Sequence, residues 1–145
     1  MINKDKFPFI RQQNACDCGI TAIRIMAEYY NILPKEEILK FETNINNDGV
    51  SVREIIHISH RFGFVCKAFF CTFDFLTKII KLPVIAYYSK HHYVVVYDFT
   101  IHTVKIADPA IGKIQTSMKQ FCREWLIKNN MGIIITYGLC DRNVI

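Results

Sequence analysis

Apolar positions in the first half of the chain recur at helical spacing. Ile20, Ile23, Ala27 and Tyr30 fall at steps of three and four residues, which predicts a helix running to about Tyr30 with one buried face. Pro34 opens a second, short helix over KEEILKFE, with its acidic residues near the N-terminal end. A polar turn follows from Asn44 to Gly49. Ser51 and Glu54 form an S-x-x-E capping box for a helix through about Phe62, and Gly63 is placed to end it. Phe64 to Phe70 reads as a strand, and Thr72 caps one more short helix ending near Lys81.

After Pro83 the pattern changes. The runs VIAYY, HYVVVYDF, TVKIA and GIIITYGL are β-branched and aromatic, and turn residues bound them. Between the last two, Ser117 and Gln120 form another capping box, before MKQFCREWLIK. Helices followed by strands indicate an α+β domain, with N-terminal helices packed on a C-terminal antiparallel β-sheet, rather than alternating βαβ units.

Composition adds mainly exclusions. The 145 residues make a single domain, 1–145, long enough to bury a core. The net charge of +5 comes from scattered lysines and arginines, which argues against a nucleic-acid surface. No apolar run has signal-peptide or membrane-span length, so the expectation is a soluble, cytosolic chain. The six cysteines lack a secreted-scaffold spacing and are read as free thiols in a reducing compartment. Cys16 and Cys18 are one residue apart with no second pair, and nothing metal-like flanks His57 and His60, so no metal site is expected.

One cysteine is different. The polar loop Gln12–Asp17 runs directly into Cys18 where the first helix begins, and the unpaired N–H groups of a first turn favour thiolate over thiol. A nucleophilic cysteine needs a base, and the base needs an orienting group. Of five histidines, His92 heads the strand HYVVVYDF, whereas His57 and His60 lie on the pattern of a surface helix. Folding a hairpin about Thr100 sets His92 roughly opposite Asp108, within carboxylate–imidazole reach. Asp98 is the rival carboxylate, but six residues along a strand is about 20 Å. His91 is the rival base, pointing to the other face. An aspartate before proline is, taken alone, a turn former.

Cys, His and Asp in that order, with the cysteine opening a helix, is the papain-like arrangement. The segments RQQNACDCG, HYVVVYDF and VKIADPAIG resemble the peptidase domain of bacteriocin-processing ABC transporters, the double-glycine leader peptidases. That family has a glutamine six residues before the nucleophile, D-C-G around it, H-[YF]-V-V at the base and A-D-P after the next strand. Gln12, Cys18, His92 and Asp108 fall on those four positions. Phe121 and Trp125 match its terminal F-x-x-x-W region, while Asn14 stands where the family often has an acidic residue.

The resemblance implies a cysteine endopeptidase that removes a leader after Gly-Gly or Gly-Ala, coupled to export. It works without a cofactor of its own; ATP belongs to a separate transporter domain. Its partners would be a precursor peptide with an amphipathic leader and the transmembrane and ATPase parts of a transporter. The expected location is the cytoplasmic side of the bacterial inner (plasma) membrane, either as an excised N-terminal domain or as a stand-alone peptidase. Phe69, Phe70, Phe73, Phe75, Tyr87 and Tyr88 are candidates for an apolar leader groove. The alternatives are a non-catalytic leader-binding module and a papain-like acyl transferase or amidase.

Overall fold

A computed structural model describes residues 6–33, 49–89 and 91–140. Helix α1 spans Cys18–Tyr29. Its expected stripe is buried: Ile20, Ile23 and Ala27 all lie in the core, joined by Ile25 and Met26. The helix expected after Pro34 lies outside the described residues, as does most of the Asn44–Gly49 turn.

Helix α2, Val52–Arg61, starts with both halves of its capping box. The Glu54 N–H donates to Ser51 Oγ at 3.1 Å, and the Ser51 N–H donates to Glu54 Oε1 at 3.4 Å. Gly63, at φ +99°, turns the chain out of the helix, a conformation that costs glycine little. Strand β1 then covers Phe64–Thr72. The Thr72 hydroxyl caps α3, Phe73–Lys78, which stops about one turn earlier than its sequence suggests.

Strands β2 (Val84–Tyr88), β3 (His92–Phe99) and β4 (Thr103–Asp108) follow as antiparallel hairpins. Next comes β5, Gly112–Ser117, a strand the hydrophobic pattern does not announce. GKIQTS has a single large apolar residue, Ile114, because β5 is the sheet's half-exposed edge. Helix α4, Met118–Trp125, begins with Ser117 Oγ accepting from the Gln120 N–H at 3.0 Å. Only that half of the expected capping box is recorded. The Gln120 side chain instead donates to Glu124 Oε1 at 3.2 Å. At Leu126 the backbone is already extended, so the helix stops before the LIK that was assigned to it.

Strand β6, Met131–Leu139, inserts between β1 and β2, and the sheet order among the described residues is β1-β6-β2-β3-β4-β5. Every recorded pairing is antiparallel. Alternation along the strands feeds two cores. Tyr93, Val95, Ile85 and Ala107 pack with α1 and α2. Val94, Val96, Val84 and Ile106 pack with Leu76 of α3 and with Phe121 and Trp125 of α4. The N-terminal helices thus cover one face, and the later short helices cover the other. No described helix is long and apolar enough to cross a membrane.

The second core closes around Trp125, which is fully buried and donates Nε1–H to the Ile133 carbonyl at 2.9 Å. A Cβ on Gly132 would lie 2.4 Å from Trp125 Cε2 and 2.7 Å from its backbone oxygen. Gly132→Ala is therefore expected to destabilise the fold by about 1–3 kcal/mol, the usual range for overpacking. Thermal denaturation monitored by Trp125 fluorescence measures it, and an unchanged midpoint would show that Trp125 can move aside.

Candidate active site

The start of α1, the start of β3 and the end of β4 come together. Cys18 opens α1 and is 6% exposed. The first intrahelical bond runs from the Thr21 N–H to the Asp17 carbonyl at 2.9 Å. The N–H groups of Cys18, Gly19 and Ile20 consequently have no acceptor within the helix. Asp17 does not cap them with its side chain; its Oδ2 accepts from the Asn14 N–H at 3.1 Å and from Asn14 Nδ2 at 3.0 Å. Gly19 allows close packing here, because a Cβ would sit 2.4 Å from Val50 and 2.7 Å from Ile55.

His92 Nε2 and Asp108 Oδ1 are 2.7 Å apart, and the carboxylate is almost wholly buried. The same oxygen accepts from the Ala110 N–H at 2.9 Å, so the turn after β4 holds it in place. Burial alone would lower the imidazole's proton affinity. The hydrogen bond to Asp108 and the nearness of the Cys18 sulfur, together with the negative charge available on both, outweigh burial and raise it from 6.5 to about 9. His92 thus lies between a carboxylate and a thiol. The Cys18 Sγ also approaches the His91 carbonyl, at 3.8 Å.

The contact is not the direct pairing that folding about Thr100 implies. Phe99 faces Val104 and Asp98 faces Lys105, so the turn is centred beyond Thr100. Tyr97 is then an extra residue in β3, after which Val96 faces Ile106 and Val95 faces Ala107. Continued by one step, Asp108 falls opposite Val94, two residues from His92 and on the same face. Such diagonal neighbours lie within reach of a long side chain. Without the bulge Asp108 would fall opposite Val95 and point to the other face.

Gln12 is tied to the same turn, its N–H donating to the Pro109 carbonyl at 2.8 Å. Arg11 reinforces the tie through the carbonyls of Ala110 and Ile111. The Gln12 side chain donates from Nε2 to the Asn14 carbonyl at 3.0 Å. Its Oε1 is buried and finds no hydrogen-bond partner among the described residues.

A sequence model of the Peptidase C39 family matches residues 6–135. The chain belongs to that family of cysteine peptidases. It is 33% identical over 121 residues to the lactococcin-G-processing and transport ATP-binding protein LagD of Lactococcus lactis subsp. lactis, covering 80% of this chain and 17% of that protein. It is 27% identical over 124 residues to the pediocin PA-1 transport/processing ATP-binding protein PedD of Pediococcus acidilactici, covering 81% of this chain and 17% of that protein. The chain therefore spans about a sixth of the length of these relatives.

Among solved structures, it superposes on a double glycine motif protease from an AMS/PCAT transporter in complex with the leader peptide. The TM-score is 0.83, with 24% identity and 93% of each chain covered. The peptidase domain of Streptococcus ComA, a bi-functional ABC transporter, gives a TM-score of 0.81 at 20% identity, covering 92% of this chain and 99% of that one. The antiparallel α+β fold is that of the C39 peptidase domains.

The rival side chains in this C39 chain are engaged elsewhere. The His91 ring meets the Tyr87 hydroxyl at 2.8 Å, and Asp98 lies toward the far end of β3. His57 and His60 are exposed on α2. Burial pushes the Cys66 thiol up to about 12 and also raises Cys71 and Cys122, which makes those thiols poor nucleophiles. No cluster suited to a metal ion occurs among the described residues.

Asn14, the departure from the family pattern, ties the Gln12 loop together. Its carbonyl receives Gln12 Nε2, and its own donors anchor on Asp17. The N-x-x-D spacing was its only signal. Of the six aromatics proposed for a groove, Tyr87 lines a cavity of about 460 Å³ with Val50, His91 and Tyr93, next to the start of α1. Phe73 instead packs on Phe99 and Phe121, Phe69 on Phe75, and Tyr88 on Phe121 and His92.

Proposed function

We propose that residues 1–145 are the peptidase domain of a larger export ABC transporter, and that it cuts the leader from a precursor peptide after Gly-Gly or Gly-Ala. The single observation behind this reading is His92 held between the Asp108 carboxylate and the Cys18 sulfur at the head of a helix. The names of the relatives support the substrate class, and their greater length supports the larger transporter. In that setting the domain works on the cytosolic side of the membrane, and ATP is used by a separate domain.

In the proposed reaction Cys18 Sγ attacks the scissile carbonyl as thiolate, beside the His92 imidazolium. The imidazolium then gives its proton to the departing amine, the C–N bond breaks, and the leader remains as a thioester. Water, deprotonated by His92, adds to the thioester carbonyl, the C–S bond breaks, the leader leaves as its carboxylic acid, and the thiolate–imidazolium pair is restored. Asp108 keeps the ring oriented and stabilises its charged form.

The oxyanion would form between the Cys18 N–H and Gln12 Nε2. One hydrogen of that amide is spent on Asn14, and the other remains for substrate. Gln12→Ala is expected to lower turnover by about 10²–10³. Stopped assays at saturating peptide measure it, and an unchanged rate would remove Gln12 from the site.

The reading is tested by incubating the chain with a synthetic leader–core peptide carrying Gly-Gly and resolving the products by mass spectrometry. A single cut after the second glycine, lost when that glycine becomes leucine, is the expected result. Binding without cutting would instead favour a leader-binding module. Turnover only with an added amine would favour an acyl transferase.

A further inference from the structure

His91 lies against the proposed nucleophile through its backbone, while its side chain takes no part in the proposed chemistry. Its φ of +59° is left-handed, a conformation glycine adopts freely and other residues seldom do. Its carbonyl is the one that Cys18 Sγ approaches. Glycine would serve that backbone role at least as well, so the imidazole itself calls for an explanation.

His91 lines a cavity together with Val50, Glu54, Tyr87 and Tyr93, and two of those walls, Val50 and Tyr93, pack against Gly19, the residue after Cys18. Its Nδ1 lies 2.8 Å from the Tyr87 hydroxyl, a good hydrogen-bond length. With the phenol O–H donating to Nδ1, the neutral ring carries its hydrogen on Nε2, on the side turned away from Tyr87. In that arrangement Tyr87 sets the tautomer and the ring plane, as an outer hydrogen bond does for other histidines.

The cavity also indicates which acceptor suits that donor. Glu54 lines the same space, its carboxylate held by the Ser51 N–H and hydroxyl. A second carboxylate brought in by a ligand would be repelled there. A neutral acceptor is favoured, and an extended peptide offers one at every residue.

Resting on the peptidase reading, we propose that His91, oriented by Tyr87, is a specificity-determining residue that donates from Nε2 to a main-chain carbonyl of the peptide adjoining the scissile bond. The contact binds substrate without joining the proton transfers at Cys18 and His92. It therefore acts on KM and leaves kcat alone.

Steady-state kinetics on the Gly-Gly peptide test this. His91→Gly, which suits the left-handed backbone, should raise KM about 5–10-fold, the effect of one hydrogen bond, with kcat within about twofold. His91→Asn tolerates the same backbone and restores a donor, so it should recover part of the loss. Tyr87→Phe should raise KM in the native background and have no effect on top of His91→Gly, because the phenol acts through the ring. Equal KM values in all variants, or a Tyr87→Phe effect that ignores the residue at 91, would overturn the proposal. A native chain that binds the peptide but never cuts it would overturn the peptidase reading alone. In that case the ratio of peptide affinities between native chain and His91→Gly still decides the role of His91, equal affinities counting against it.

Discussion

Replacing Cys18 by alanine is expected to lower peptide hydrolysis by about 10⁴–10⁶-fold, the range seen when a nucleophile acting as part of a triad is removed. The methyl group that remains is no larger than the thiol, and the helix start is bonded through backbone atoms, so the fold should persist. Peptide affinity should change little, because the role proposed for Cys18 is in bond making. Quenched peptide cleavage, with binding measured on the same preparation, separates the two. If substantial hydrolysis survives in Cys18→Ala, the nucleophile lies elsewhere and the assignment of the site is wrong.

Asp108→Ala is expected to produce the next largest loss, about 10³–10⁴ in turnover. The reason is positional as well as electrostatic: Oδ1 joins the His92 ring to the Ala110 N–H, and alanine releases both. The same change should be visible against pH. In the native chain His92 is raised from 6.5 to about 9, despite burial, by bonds and charges from Asp108 and Cys18. Activity that needs the imidazolium should fall as pH rises through about 9. Without Asp108 that alkaline limb should move down toward 6.5.

Stability is linked to the same group. Because the folded value is raised, the contribution of His92 is complete below pH 6.5 and disappears as pH rises through about 9. Denaturation midpoints in that window should slope downward for the native chain and flatten in Asp108→Ala. An alkaline limb that stays in place in the variant would mean that Asp108 does not set the proton affinity of His92.

Local signals in the sequence were reliable where the interaction is itself local. The Ser51–Glu54 box and Gly63 mark α2 because they act within one turn of the helix. The apolar stripe Ile20–Ile23–Ala27 marks α1 because one face of that helix is buried. Strand β5 was missed for the converse reason: at an exposed edge no buried face imprints a pattern. Gln120 gave only half a box because its side chain turns forward along the helix, Oε1 accepting from Arg123 and Nε2 donating to Glu124.

The chemistry on offer can be read from residue order alone: a cysteine at a polar-to-helical boundary, a histidine heading a β-branched strand, an aspartate before proline, and a glutamine six residues ahead of the thiol. Residue type and position relative to an element's end are enough for that. How they meet is a matter of long-range packing. The order of β1, β6 and β2 depends on long-range pairing that no neighbouring residues encode. The face on which Asp108 points depends on one extra residue at Tyr97, since a strand has a period of two and a single insertion reverses every side chain beyond it. The bulge and the late turn together bring Asp108 to His92 diagonally, a geometry set by packing and invisible in spacing.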